Sequence, residues 1–370
     1  MPWRMLVEVG YIGRYARDLY INGNLNSAPF FHKDTRSGQT FAQAFDTIAI
    51  GLRPGGVGAA NIAPQPYFEN LYGAGTTRTL ITSQAAAFIN GNVSNLQQTY
   101  LDLLTGLGAL TGPTLTNQQS LDLFVRHSGA ISNYHGMIVT VRKRFSQGIA
   151  FDANYTLSKS LDESTTFTQN NVSQYQSSFF PGYDYGPSLF DLRHIFNING
   201  SYEMPFGKNR FFDLKNTALN KVVGGWTTSG IFLAHSGFPL SVSQSAQAFG
   251  GGAIFGPTAG AIKTRDVVNG TSVFTGVAGS NNIGVSGDPA RRGSGLNLFS
   301  SPEQAFNSFR RIELARDTRD GRGVLRGLNR WFFDFSLQKE TKITEKIGFS
   351  LSFDFLNVFN HVILNDPGLS

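Results

Sequence analysis

The side chains able to do chemistry in this chain are few and scattered. There are six histidines and no cysteine, so disulfides, thiol nucleophiles and cysteine-based metal sites are excluded. His32, His127, His135, His194, His235 and His361 show no paired zinc spacing, and HExxH does not occur. His194, in "DLRHIF" beside Asp191 and Arg193, comes nearest to a constellation. Its plain reading is structural, at the start of a strand; the sharper one is a metal or proton role. "DTRDG" (Asp317 to Gly321) starts like a calcium loop but lacks the alternating acidic ligands and the closing glutamate. "FGGGAIFGPTAGA" lacks the lysine and spacing of a phosphate-binding loop, and no GxSxG is present. The expectation is a protein without cofactor or catalytic centre.

Polar residues that do fall into a pattern form a surface. In "GIAFDANYTLSKSLDE", Phe151, Ala153, Tyr155 and Leu157 alternate with Asp152, Asn154, Thr156 and Ser158. A strict period of two marks a β-strand with one oily and one wet face. The wet face gathers Asp152 and Asn154 here, and Thr140, Arg142 and Arg144 on the preceding segment. Asn197, Asn199 and Glu203 continue it downstream, followed by Asp334 and Asp354. If the oily sides face lipid, this set becomes the candidate wall of a single water-filled lumen. The same alternation would suit a soluble sandwich with its oily side buried.

Seven segments carry the period of two and must position that wall. They centre on Met5–Tyr11, Met137–Phe145, Phe151–Leu157, Phe196–Met204, the looser "GWTTSGIFLAHSG", Trp331–Gln338 and Ile347–Phe355. Several approach the roughly 9–11 residues that a tilted strand needs to cross a bilayer. Connectors alternate between short and long. "SQG" and "TKITEK" are tight, and "PFGKNRFFDLKNTALNKVVG" is modest. The others, about 16–133, 160–192 and 238–328, are far longer than compact soluble domains carry. Within them, "NLQQTYLDLL" (Asn95 to Leu104) has helical spacing, and "SPEQAFNSFRRIELARD" offers Ser301 as N-cap. Tight turns on one side and long loops on the other are the layout of an outer-membrane barrel. Aromatics gather at both strand ends: Phe145, Phe151, Trp226 and Phe349 at one, Trp331, Phe333 and Phe359 at the other. These match two interfacial girdles and favour the barrel over the sandwich. The predicted fold is all-β: an antiparallel transmembrane β-barrel segment, about seven strands of a larger barrel, with long extracellular loops.

The net charge is +6, and seven arginines crowd residues 310–330. A phosphate-binding surface for nucleic acid or lipopolysaccharide is one reading; a solvated loop is the plainer one. No nucleic-acid module surrounds them, so no nucleic-acid partner is expected. No apolar run is long enough for a transmembrane helix, a test blind to barrels. "MPWRMLVEVG" has no signal-peptide pattern.

Four ordered stretches, "YHGMIVTVRKRFSQGIAFDANYTLSKSLDE", "DLRHIFNINGSYEMPFGKNR", "VVGGWTTSGIFLAHSGFPLSV" and "DFSLQKETKITEKIGFSLSFDFLNVFNH", resemble consecutive strands of TonB-dependent outer-membrane receptors, in particular their Oar-like branch. The resemblance covers most of residues 4–366 and is weakest in the two largest loops. It implies the outer membrane of a Gram-negative bacterium and uptake of a bulky nutrient or metal chelate. It also implies energy from the inner-membrane TonB complex, delivered through a plug domain. Oar-like members are associated also with adhesion and secretion, the alternative reading; a soluble all-β binding protein is a third. Plug, TonB box, signal peptide and a final closing strand are not recognised, so residues 1–370 are expected to be a partial barrel domain. Its expected partners are outer-membrane lipid and lipopolysaccharide, an unknown substrate, and TonB only through the plug.

Overall fold

The computed structural model describes residues 4–96, 115, 122–163, 174–208, 210–213, 216–244, 248–250, 258–267, 269–276, 283–342 and 347–366. All seven expected strands are present: β1 (Met5–Asn24), β2 (Phe124–Ser146), β3 (Ile149–Asp162), β4 (His194–Glu203), β5 (Trp226–His235), β6 (Arg330–Lys342) and β7 (Gly348–Phe355). They form one antiparallel sheet in chain order, each strand bonded to its sequence neighbours, with β1 and β7 at the edges. A two-residue strand, Gly186–Pro187, adds to the end of β3.

Register turns alternation along each strand into two uniform faces, because residues opposite one another point the same way. One row runs Val9, Val139, Tyr155, Phe196, Ala234 and Trp331. The next runs Val7, Val141, Ala153, Ile198, Phe232 and Phe333. The other face carries Thr140, Asn154 and Asn197 in one row and Arg142, Asp152 and Asn199 in another. Neither face is buried; Val9, Tyr11, Ile231 and Phe353 all remain exposed.

The turn between β2 and β3 is Gln147-Gly148, both with positive φ (54° and 80°). That geometry is the type I′ hairpin, whose twist matches the strands it joins. At the opposite end β1 and β2 continue to Asn24 and from Phe124, so the first long connector is 25–123, not 16–133. The visible alternation stops early because Asp18 takes a positive φ of 56° beside two register shifts around Leu19. Such a bulge inverts the parity of everything after it. The second connector likewise starts beyond Asp162, and the third runs 236–329.

These connectors fold together into a cap with its own core. The helices α1 (Phe41–Leu52), α2 (Pro66–Tyr72), α3 (Thr76–Asn90) and α4 (Val93–Leu96) all lie in the first. Thr40 and Gln43 make a reciprocal capping box at the start of α1. Phe41, Phe45, Ile48, Tyr67, Phe68, Leu80 and Phe88 pack into one buried cluster with Phe249, Ile312 and Leu314 of the third connector. Tyr183, from the second connector, packs on Phe249 with ring centroids 4.6 Å apart and planes tilted by 45°. The helix expected over Asn95–Leu104 lies largely outside the described residues; α4 ends at Leu96. A further helix, α5 (Thr217–Val223), lies between β4 and β5 at the tight-turn end. The helix expected at Ser301 forms as α6 (Pro302–Phe306), with the Ser301 side chain accepting from the Gln304 N–H. It stops there because Phe309–Arg310 is drawn into pairing with Ile262–Lys263.

A polar wall as the candidate functional site

The wet face is organised as a hydrogen-bonded ladder across β2, β3 and β4. Arg142 Nε donates to Asp152 Oδ2 at 2.7 Å, and Asn154 Nδ2 donates to Asp152 Oδ1 at 2.6 Å. Asn154 Nδ2 also lies 3.1 Å from Asn197 Oδ1, while its Oδ1 accepts from the Thr140 hydroxyl at 2.8 Å. Arg142–Asp152, Thr140–Asn154 and Asn154–Asn197 are set directly opposite by register, and Asp152 and Asn154 are successive residues on the same face of β3, so pairing and alternation together assemble the ladder. The Arg142 side chain is half exposed, and charge in such a position is compatible with water rather than with hydrocarbon.

The other expected wall residues divide. Asn199 stands opposite Asp152 and carries that row onto β4. Asp354, on β7, accepts from Ser336 at 2.6 Å and from Ser352 at 3.2 Å, making a second polar cluster. Asp334 shares their face, but its carboxylate accepts the Asn357 N–H at 2.8 Å and so fastens the turn after β7. Glu203 sits at the last step of β4 and pairs with Arg210 at 2.5 Å. Arg144 lies past the register shift between Lys143 and Ser146, outside the continuous pairing. Between the two polar clusters β5 places Leu233 and Ile231 on the same face, opposite Asn197 and Asn199. The wall is therefore interrupted, which the loose alternation of the fifth segment foreshadows. Glu8, Thr156, Gln338 and Glu340 also share this face and extend the expected set; their parity within each segment is the signal that finds them.

On the opposite face the histidines serve an aromatic belt. His135 bonds the Tyr11 hydroxyl at 2.6 Å, His194 opens β4 and bonds that of Tyr155 at 2.8 Å, and His361 stacks on Trp331 at 4.1 Å. Trp331 and Phe333 also touch Phe359.

The arginine-rich segment proves to be neither a phosphate surface nor a solvated loop, because most of its cations turn inward. Arg310 pairs bidentately with Asp317, both distances 2.7 Å. Arg311 donates to the carbonyls of Asn90 and Gln244 at 2.9 and 3.0 Å. Arg322 pairs with Asp162 and donates to the Asp184 carbonyl at 2.8 Å, and Arg326 pairs with Asp191. Arg330 meets Asp366 at 3.0 Å. These bonds tie the third connector to the first, the second and the end of β3. They consume donors that a phosphate ligand would need. The "DTRDG" carboxylates go separate ways, Asp317 to Arg310 and Asp320 to Gln176. Around these staples burial raises the pKa of several carboxyls above the ordinary range. Burial pushes Asp184 up to about 8 and Asp46 up to about 6. Burial also raises Asp320.

A family model described as "Outer membrane beta barrel domain" matches residues 1–370. No curated protein and no solved structure matches the chain.

Proposed function

From a chain that belongs to the outer membrane β-barrel domain family, we propose a wall segment of a TonB-dependent, Oar-like transporter that takes up a bulky nutrient or metal chelate. The chain is an outer-membrane barrel protein, which sets aside the soluble all-β reading. The observation that carries the proposal is the ladder of Arg142, Asp152, Asn154, Thr140 and Asn197, set against a continuous apolar face on the same strands. A barrel wall lets lipid-facing and lumen-facing residues alternate, and a polar ladder of this breadth suits a water-filled interior. The tight turns are then periplasmic, and the cap is extracellular, above the lumen. The role is binding and passage, with no bond made or broken by the chain. A TonB-driven plug would supply the conformational change, and lipopolysaccharide would surround the outer rim.

Uptake is the test. Cells carrying the gene should accumulate labelled ferric chelates or another bulky nutrient only while the proton motive force is intact. Accumulation that survives an uncoupler, or that is equal in a deletion strain, would count against transport. One observation favours the second reading, adhesion or secretion at the surface. Phe31, Phe179 and Phe180 are exposed on the cap and pack edge-on, with ring centroids 4.9 and 5.7 Å apart. Exposed aromatic patches commonly mark partner surfaces. Loss of cell attachment in a Phe31→Ser/Phe179→Ser variant with unchanged uptake would support adhesion.

A further inference from the structure

The connection between β4 and β5 forms a compact element at the tight-turn end. Asn216 caps α5 by accepting the N–H groups of Ala218 and Leu219 at 3.0 and 3.1 Å. The other end of α5 is fastened to the apolar face of the sheet. Lys339 Nζ donates to the carbonyls of Lys221 and Val222, both at 2.9 Å, and of Gly224 at 2.6 Å. Trp226, opposite Lys339 in register, donates its indole N–H to the Val222 carbonyl at 3.2 Å. The ammonium also lies 5.0 Å from the Trp226 ring. Lys339 thus spends its three donors on helix carbonyls, which accounts for a lysine on the mostly apolar face. Leu219 and Val222, three residues apart on α5, are 51% and 64% exposed, and Phe211 just before it is 85% exposed. Val222 meets Trp226 through its carbonyl, so the helix that carries these groups adjoins the oily face at the edge of the sheet.

Beside the helix lies a pocket of about 190 Å³ whose walls include Lys208, Arg210, Lys221, Lys342 and Thr341. Glu340 is the one acid in its lining, and Arg210 is already paired with Glu203. The pocket keeps a positive excess. The buried Thr341 hydroxyl has no hydrogen-bond partner among the described residues. Glycine makes the walls possible: Gly225 has φ +73°, and a Cβ there would fall 2.2 Å from the Glu340 carbonyl oxygen. A basic pocket bordered by an exposed apolar helix face has the two chemistries of a lipid, a phosphate and acyl chains.

We propose that this connection is a membrane foot that binds an anionic phospholipid of the periplasmic leaflet, its phosphate held by Lys208 and Lys221 and its acyl chains lying against Leu219 and Val222. The inference rests on the oily face of the sheet pointing to lipid. Charge complementarity and the continuity of α5 with that face through Trp226 both select lipid over a free phosphate.

Because the chain has no cysteine, single cysteines can be placed and labelled cleanly. The full chain is reconstituted in vesicles of phosphatidylcholine, with and without phosphatidylglycerol, and a polarity-sensitive probe is read at Val222→Cys, Phe353→Cys and Ser352→Cys. Brominated acyl chains should quench the probe at Val222 and Phe353 and spare it at Ser352. Spin-labelled phosphatidylglycerol should be held in preference to phosphatidylcholine, with about a fivefold loss of preference for each of Lys208→Ala and Lys221→Ala. Quenching at Phe353 without quenching at Val222 would overturn the foot and leave the facing intact. Quenching at Ser352 and not at Phe353 would overturn the facing, and the foot with it. A preference for phosphatidylglycerol that survives both lysine substitutions overturns the pocket assignment. So does a preference that inorganic phosphate abolishes while Val222 stays unquenched.

Discussion

The sheet and the cap are built from one chain by opposite means. In the sheet almost nothing is buried: Phe353, Tyr11 and Val9 are as exposed as the polar residues between them, and cohesion comes from backbone pairing. In the cap, Phe45, Phe88, Tyr67 and Phe68 are enclosed, and charged groups are pinned by partners from distant sequence. The sheet takes its apolar environment from outside, as a membrane strand must, whereas the cap carries its own. One is specified by period, the other by long-range complementarity. Substitutions that respect this division should affect one region and spare the other.

The largest effect is expected in the cap. Phe45→Ala removes a ring packed 4.9 Å from that of Phe88 and should cost about 3–5 kcal/mol. Hydrogen exchange should show the cap amides losing protection while those of the sheet keep theirs; equal loss in both would break the comparison. Arg322→Ala, which removes the paired cation from the buried Asp162 carboxylate, should cost about 3–5 kcal/mol in the same assay. In the sheet, Phe353→Arg should impair membrane insertion by about 2–4 kcal/mol, and Ser352→Arg should not. Heat-modifiable mobility in gels reads this difference, and equal impairment by the two would count against the facing.

Acidity offers a smaller and more selective probe. The native cap holds a proton on Asp184 up to about pH 8, whereas the unfolded chain releases it near the ordinary carboxyl value of 3.8. Between those values the folded state binds more protons, so cap stability should fall as pH rises from about 4 to 8, by several kcal/mol at roughly 1.4 per pH unit. Asp46 adds to the slope up to about pH 6. Asp184→Asn should flatten this dependence and raise stability at pH 8, measured as cap protection corrected for intrinsic exchange. Smallest of all, Thr40→Ala should cost about 1 kcal/mol, confined to α1.

The same division explains what could be read in the sequence. The seven strands and their pairing order were legible because a two-residue period needs only local residues and antiparallel hairpins join neighbours. Asp152, Asn154, Arg142 and Asn197 could be placed on one face for that reason. Their mutual bonds follow from register, which the Gln147-Gly148 turn sets for β2 and β3. Strand ends were not legible, since the bulge at Asp18 inverts the parity. The cap was the least legible. Its three longer helices went unseen, although Thr40-x-x-Gln43 carried a capping box that could have located α1. The distant partners of Arg311, Arg322 and Arg326 could not be read at all. Asp162 and Arg322 are 160 positions apart, and no local pattern links them.

The connector 25–123 also bears on how the chain assembles. β2 and β3 meet across a two-residue turn, while β1 must find β2 across that entire segment. Loop-closure entropy grows with the logarithm of length, so the β2–β3 hairpin is the cheap nucleus and β1 the late arrival. A cap folded beforehand shortens the effective tether, because the backbone on either side of it, at Leu25 and Leu123, is joined by a direct hydrogen bond of 2.9 Å. Once folded, the connector therefore clamps the outer ends of β1 and β2 together and is not a slack tether between them.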